Sequence, residues 1–341
     1  MDLRDLSREE LIGFVKNLGQ KPFRGTQIFE GYHKQLKRSI QEMEQLPKVL
    51  RDQLVSYERK PLEILETLED PVDGTKKFLY RLFDGEIVEG VLMDYDHGLS
   101  QCISTQVGCR MGCTFCASTK GGKIRDLKAG EILEQVYRVE EVYGKVSRFI
   151  LMGSGEPMDN LDEVLAFLRI LHDEKGQHVS YRHVTISTCG VVPGIERLQR
   201  ENLPVNLALS LHSPFDGVRE TMMPITKRYP VADVIASCLT YQEKTGRRVT
   251  YEYTLIPGVN DREEDIRELK RLFGSNIHHI NLIGLNPIEE WNGPRSTRKD
   301  LERFAQQLKD AGLSATIRRE LGQRIDASCG QLRRRYVQGK E

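Results

Sequence analysis

The sequence predicts an α/β protein: a partial TIM-like barrel of six βα units with a small N-terminal helical domain. Three observations predict it. Short β-rich runs alternate with amphipathic helical stretches from about residue 99 onward. The first 75 residues carry mostly helical spacing, and glycine-bearing polar motifs sit just beyond the β-rich runs, where parallel βα folds collect their chemistry. The expected divisions are a helical accessory domain over 1–75, a β connection over 76–98, the barrel over 99–320 and a C-terminal segment over 321–341.

Taken in order, Ser7 and Glu10 have capping-box spacing ahead of the apolar face Leu11, Ile12, Phe14 and Val15, so a helix is expected to run until about Gly19. Residues 22–56 lack strand alternation and are expected to be helical. KKFLYRLFDGEIVEGVLM, at 76–93, has the pattern of a hairpin turning at Asp84-Gly85. The barrel strands are expected at 101–106, 148–152, 183–188, 205–211, 249–256 and 279–283. Helical stretches such as AGEILEQVYRVEEVYG and NLDEVLAFLRILHDE separate them, which calls for right-handed βα units.

With 39% hydrophobic and 29% charged residues in 341, the composition is that of an ordinary globular protein. No apolar run is long enough to span a bilayer, and the N-terminus lacks the apolar h-region of a secretory signal, so a cytoplasmic address is expected. Fifty Lys and Arg balance fifty Asp and Glu, so a nucleic-acid partner needs local rather than global support. The seven cysteines are an odd number and three crowd into 109–116, which favours metal or redox chemistry over a disulfide scaffold.

Those three, Cys109, Cys113 and Cys116, form C-x3-C-x2-C in GCRMGCTFCAS. Structural zinc normally takes four ligands, and ferredoxin-type loops also supply a fourth cysteine. Three thiolates instead suit a [4Fe-4S] cluster with one iron open to a reactant, with zinc or unmetallated core thiols as the weaker readings. The spacing resembles that of the radical S-adenosylmethionine (radical SAM) superfamily, whose cluster binds SAM and passes an electron to its sulfonium.

Neighbouring motifs narrow the resemblance and keep their order over nearly the whole chain. They are VEGV at 88–91, CISTQVGCRMGCTFCAS at 102–118, MGSGEPMDN at 152–160, STCGVVPGI at 187–195 and LALSLHSPFDGVRETMMPI at 207–225. IPGVND at 256–261, NLIGLNP at 281–287 and TIRRELGQRIDASCGQLR at 316–333 follow. Together they resemble the RlmN/Cfr family of RNA adenine methyltransferases, and most closely its RlmN branch. The resemblance implies methylation of adenine C2 in 23S rRNA and in tRNA. The alternative is the Cfr branch, which methylates C8.

Both carbons are electron-poor, so neither can attack the SAM methyl group, and a radical route is required. The resemblance implies that Cys329 takes a methyl group from one SAM and that a second SAM yields the radical that activates it. The resulting methylene joins the base. Cys102 then helps to remove the base proton and attacks the Cys329 sulfur, leaving a transient disulfide. The two cysteines must therefore come within about 4.4–6.8 Å, Cα to Cα, in some state of the enzyme. Cys189 and Cys238 are expected to be core residues.

By the same resemblance Gly155, Glu156, Ser187, Ser210, Leu211, His212 and Asn286 contact SAM, and Glu89 is a proton acceptor. Taken singly, most of these are equally ordinary strand-end residues. Arg318-Arg319 and Arg333-Arg334-Arg335 flank the Cys329 loop and are candidate RNA contacts. Lys21, Arg24, Lys34, Lys37 and Arg38 form a second basic set. The expected partners are 23S rRNA, tRNA and an electron donor such as flavodoxin or ferredoxin, acting on a monomer.

Overall fold

The computed structural model describes residues 1–285, 293–325, 336 and 339. The chain opens with three helices, α1 (Arg8–Asn17), α2 (Phe23–His33) and α3 (Lys48–Leu54). The Ser7 hydroxyl accepts from the Glu10 amide and the Glu10 carboxylate accepts from the Ser7 amide, which is the expected capping box. The helices do not extend to residue 75, because β1 (Glu63–Glu69) is already strand. It pairs antiparallel with β2 (Lys76–Arg81), and β2 pairs in turn with β3 (Ile87–Tyr95) across the predicted Asp84-Gly85 turn. Gly85 has φ +89°, a conformation that favours glycine.

β3 then pairs antiparallel with β4 (Gly98–Cys102), so the β connection is part of the main sheet. The strand predicted at 101–106 is interrupted. β4 stops at Cys102, and β5 (Gln106–Gly108) turns away to pair with β6 (Lys123–Asp126) in a separate ribbon.

From β4 onward the remaining strands are parallel: β7 (Arg148–Leu151), β8 (Val184–Thr188), β9 (Asn206–Ser210), β10 (Thr250–Leu255), β11 (His279–Gly284) and β12 (Ala315–Ile317). Helices α4 (Ala129–Tyr143), α5 (Leu161–His172) and α6 (Val192–Glu201) make the first three crossovers. α7 (Asp216–Met222) and α8 (Val231–Thr245) share the fourth, followed by α9 (Glu263–Phe273) and α10 (Arg298–Asp310). Among the described residues the sheet order is β1-β2-β3-β4-β7-β8-β9-β10-β11-β12. The six predicted βα units are present, with the short β12 added at the end. Among the described residues no helix is long and apolar enough to cross a membrane.

The N-terminal helices cover the outer face of α4, which is why that helix is buried from Ala129 through Glu140. The joint is ionic as well as apolar. Buried Arg4 bonds Asp2 at 2.9 Å and Glu134 at 2.7 Å, while Arg59 bonds Asp5 at 2.7 Å and Asp5 accepts from the Gly130 amide. A Cβ on Gly130 would lie 2.7 Å from an Asp5 carboxylate oxygen, so only glycine allows this approach. His33 is fully buried at the same joint, with Nδ1 2.9 Å from the Tyr137 hydroxyl.

Candidate active site

The three clustered cysteines occupy the loop that follows β5. The Cys109 amide donates to the Gly122 carbonyl at 3.1 Å, and the Thr119 hydroxyl donates to the carbonyls of Cys113 and Cys116. Gly108 has φ +75°, and a Cβ there would lie 1.9 Å from the Gly122 oxygen, so the crossing of β5 and β6 requires glycine. The Thr114 amide donates to the Met222 carbonyl at 2.9 Å and fastens the loop to α7.

Cys109, Cys113 and Cys116 border an inner cavity of about 240 Å³ at the C-terminal ends of the parallel strands. Gly155, Glu156, Ser187, Ser210 and His212 line the same cavity, so most of the predicted cofactor contacts converge. Leu211 is not among the lining residues. Its side chain belongs to the core, its amide donates to the Glu252 carbonyl, and its carbonyl accepts from Arg219. Asn286, Cys329 and Arg333 to Arg335 lie outside the described residues.

The loop after β7 explains its glycines. Gly155 has φ +114°, and a Cβ would lie 2.8 Å from the Gln106 nitrogen. The close approach lets the Glu156 amide donate to the Gln106 side chain at 2.8 Å. The buried Glu156 carboxylate accepts from the Cys189 amide at 2.8 Å and the Met158 amide at 3.0 Å. Burial still raises its pKa above the ordinary carboxylate value. The Thr188 hydroxyl and the Cys189 thiol bond the same carboxylate, which borders the cavity.

His212 sits at φ +58° with its ring buried. Nδ1 accepts from the Thr254 amide at 3.0 Å, which leaves Nε2 as the donor. Burial, followed by the field of Arg219, lowers its pKa to about 3, so the ring is neutral at physiological pH. Burial also pushes the Cys109 thiol up to about 12 and the Cys113 thiol higher, so ionising them requires a metal partner.

The donor set suits an iron–sulfur cluster. Three thiols border one cavity, inside an apolar shell that includes Met111, Phe115, Met222 and Met223. Among the described residues no three His, Cys, Asp or Glu side chains are gathered as ligands of a single ion. Spaced thiols can instead each hold a separate iron of a cluster.

Cys102 ends β4 and borders a second, outer cavity of about 550 Å³ with Val91, Tyr95, Arg318, Arg319 and Leu321. Phe115, Met152, Ile283 and Arg318 line both cavities and form the wall between them. Glu89 is on β3, two residues before Val91, which pairs with Cys102. It is buried rather than on the surface, and it bonds the fully buried Lys77 at 3.2 Å. It is not among the residues lining either cavity.

Residues 103–269 match the Radical SAM superfamily, and residues 1–58 match the Ribosomal RNA large subunit methyltransferase N-terminal domain. A protein of Alkaliphilus oremlandii named probable dual-specificity RNA methyltransferase RlmN is 47% identical over 99% of both chains. The chain belongs to the RlmN family. A Lachnoclostridium phytofermentans RlmN relative is also 47% identical, over 99% of this chain and 95% of its own. The crystal structure of a radical SAM methyltransferase from Sphaerobacter thermophilus superposes with TM-score 0.91 at 41% identity, covering 97% of this chain and 98% of that one.

Family motifs point to most of the inner cavity, but not to Glu252 or Cys189, nor to Arg219 behind it. Glu252 lines it from β10, with Asn281 donating to its carboxylate at 3.1 Å. Its signal was a lone acid in the otherwise uncharged run TYEYTL. Cys189 was assigned to the core, and it is buried. It also borders the inner cavity, with its thiol bonded to Glu156.

Proposed function

We propose that this chain methylates C2 of an adenine in 23S rRNA, and in tRNA, through a methyl group carried on Cys329. The observation that carries this reading is the pair of adjoining cavities. The inner one gathers the three clustered thiols with Glu156 and His212, and the outer one holds Cys102 against Arg318 and Arg319.

Cys109, Cys113 and Cys116 would hold a [4Fe-4S] cluster, which supplies the electron that splits SAM to a 5′-deoxyadenosyl radical. Glu156 places its carboxylate charge against the SAM amine. Ser187, Ser210 and the Nε2–H of neutral His212 offer further polar contacts, and Asn286 completes the set. Two SAM molecules are used per turnover, one as methyl donor to Cys329 and one as radical source.

Cys329 would present its activated methyl carbon to the base; the adduct would give up one electron to the cluster and its C2 proton to Cys102, which would pass it to Glu89 beside Lys77. The Cys102 thiolate would then attack the Cys329 sulfur, breaking its bond to the methylene carbon, which would take up a proton and leave as the methyl group of the adenosine, with a transient disulfide on the protein. Leu321 and Gln323 border the outer cavity, and Asp73 and Asp70 accept from the amides of Gly322 and Arg324. Arg318, Arg319 and the basic N-terminal helices meet the RNA phosphates. The enzyme works as a cytoplasmic monomer with a flavodoxin- or ferredoxin-type reductant.

The test is anaerobic reaction with ribosomal RNA and with tRNA, followed by nucleoside mass spectrometry. The reading expects 2-methyladenosine from both. 8-Methyladenosine would move the chain to the Cfr-type reaction, and no methyladenosine would refute it.

A further inference from the structure

Arg219 on α7 is fully buried, and all its bonds go to neutral acceptors. Nε donates to the Leu211 carbonyl at 3.0 Å and Nη1 to the Thr226 hydroxyl at 2.8 Å. Nη2 donates to the carbonyls of Cys189 at 2.6 Å and Ser210 at 3.0 Å. Among the described residues no carboxylate forms an ion pair with it. The acids on its own helix are engaged elsewhere: Asp216 accepts from the Val231 amide at 2.7 Å, and Glu220 pairs with Lys227. A buried cation without an anion is costly and calls for a compensating negative charge.

Asp216 attracts the Arg219 guanidinium only through space, without a bond, and a loaded cluster site would add negative charge beside it. Cys189 and Ser210 line the inner cavity, and Leu211 precedes His212, which lines it as well. Three residues beyond Arg219, the Met222 carbonyl holds the Thr114 amide of the cysteine loop, and Met222 packs with Cys113 and Cys189. The helix of the guanidinium and the cysteine loop meet at buried Met222, where charges are weakly screened.

We infer that Arg219 is the built-in counter-charge of the cluster site, favouring the negative charge that the cluster gains on reduction. It is a positioning residue for the radical chemistry, acting through the cluster, and the inference rests on the cluster reading above.

The test uses full-length protein, reconstituted anaerobically without SAM, as wild type, Arg219→Gln and Arg219→Lys. Bound iron is assayed, and the cluster midpoint potential is read by electron paramagnetic resonance. Arg219→Gln should disfavour reduction about tenfold, a shift of about 59 mV to more negative potential for one electron. Arg219→Lys keeps the charge and should stay near wild type. Equal potentials in all three proteins would overturn the inference, as would equal loss of iron from both variants, because Lys preserves the charge. Wild type without iron would instead refute the cluster reading itself.

Discussion

The two cavities differ in how they are built. The inner one is bordered by strand ends and the cysteine loop, and its polar groups are fixed by backbone hydrogen bonds, as Glu156 is by Cys189 and Met158. The outer one lies between the sheet and the segment after β12, and it carries half-buried Arg318 and exposed Arg319. A site that produces a reactive radical gains from fixed polar groups, whereas a site that admits RNA needs positive charge. The difference teaches that radical generation and base methylation can be lost separately, and variants on each side should show it.

The largest effect belongs to the inner cavity. Cys113→Ala should abolish both SAM cleavage and RNA methylation, with the bound iron falling to background. Cys102→Ala, on the outer side, should keep iron and SAM cleavage but stall before product release. It should accumulate a covalent protein–RNA species on denaturing gels, and free methyladenosine from it would break the division. Glu156→Gln removes a charge-assisted contact of about 1.5–3 kcal/mol. The Kd for SAM, measured calorimetrically, should rise about 10- to 100-fold while RNA affinity is unchanged.

Much of this division is legible in the sequence, and the gaps have physical causes. The parallel strands read clearly because short runs of apolar or β-branched residues such as RFIL and HVTIST leave little ambiguity. β1 was absorbed into the helical domain because Ile64, Leu65 and Leu68 are also spaced as on a helix, and as an edge strand it needs only one pairing face. Cys102 and Glu89 were legible only through motifs, since nothing local in CIST or VEGV signals that β3 and β4 bring them onto neighbouring positions. Glu252 gave only the faint signal of a charge in an apolar stretch and Arg219, among charged neighbours, gave none, because the groups that satisfy them are Asn281, backbone carbonyls and the Thr226 hydroxyl.

Acid should destabilise the barrel and its N-terminal joint alike. His33 and His212 both have pKa values lowered to about 3, chiefly by burial and then by Arg4 and Arg219 respectively, against 6.5 when unfolded. Below pH 6.5 the unfolded chain therefore binds more protons. Stability should fall as pH drops from 6.5 toward 3, by up to about 1.4 kcal/mol per unit for each ring, and be indifferent to these groups above 6.5. His33→Gln should flatten that slope in urea titrations, and an unchanged slope would count against a buried neutral ring. The smallest effect is expected for Arg319→Ala, which should weaken binding of all RNAs alike and reduce the salt slope by about 1 while sparing SAM cleavage.

The central claim, that a cysteine outside the cluster carries the methyl group, is tested most directly with Cys329→Ala. The variant should be reconstituted anaerobically and assayed in one reaction for iron, 5′-deoxyadenosine and methylated nucleosides. The account predicts wild-type iron and SAM cleavage with no 2-methyladenosine; methyladenosine at the wild-type level would contradict it.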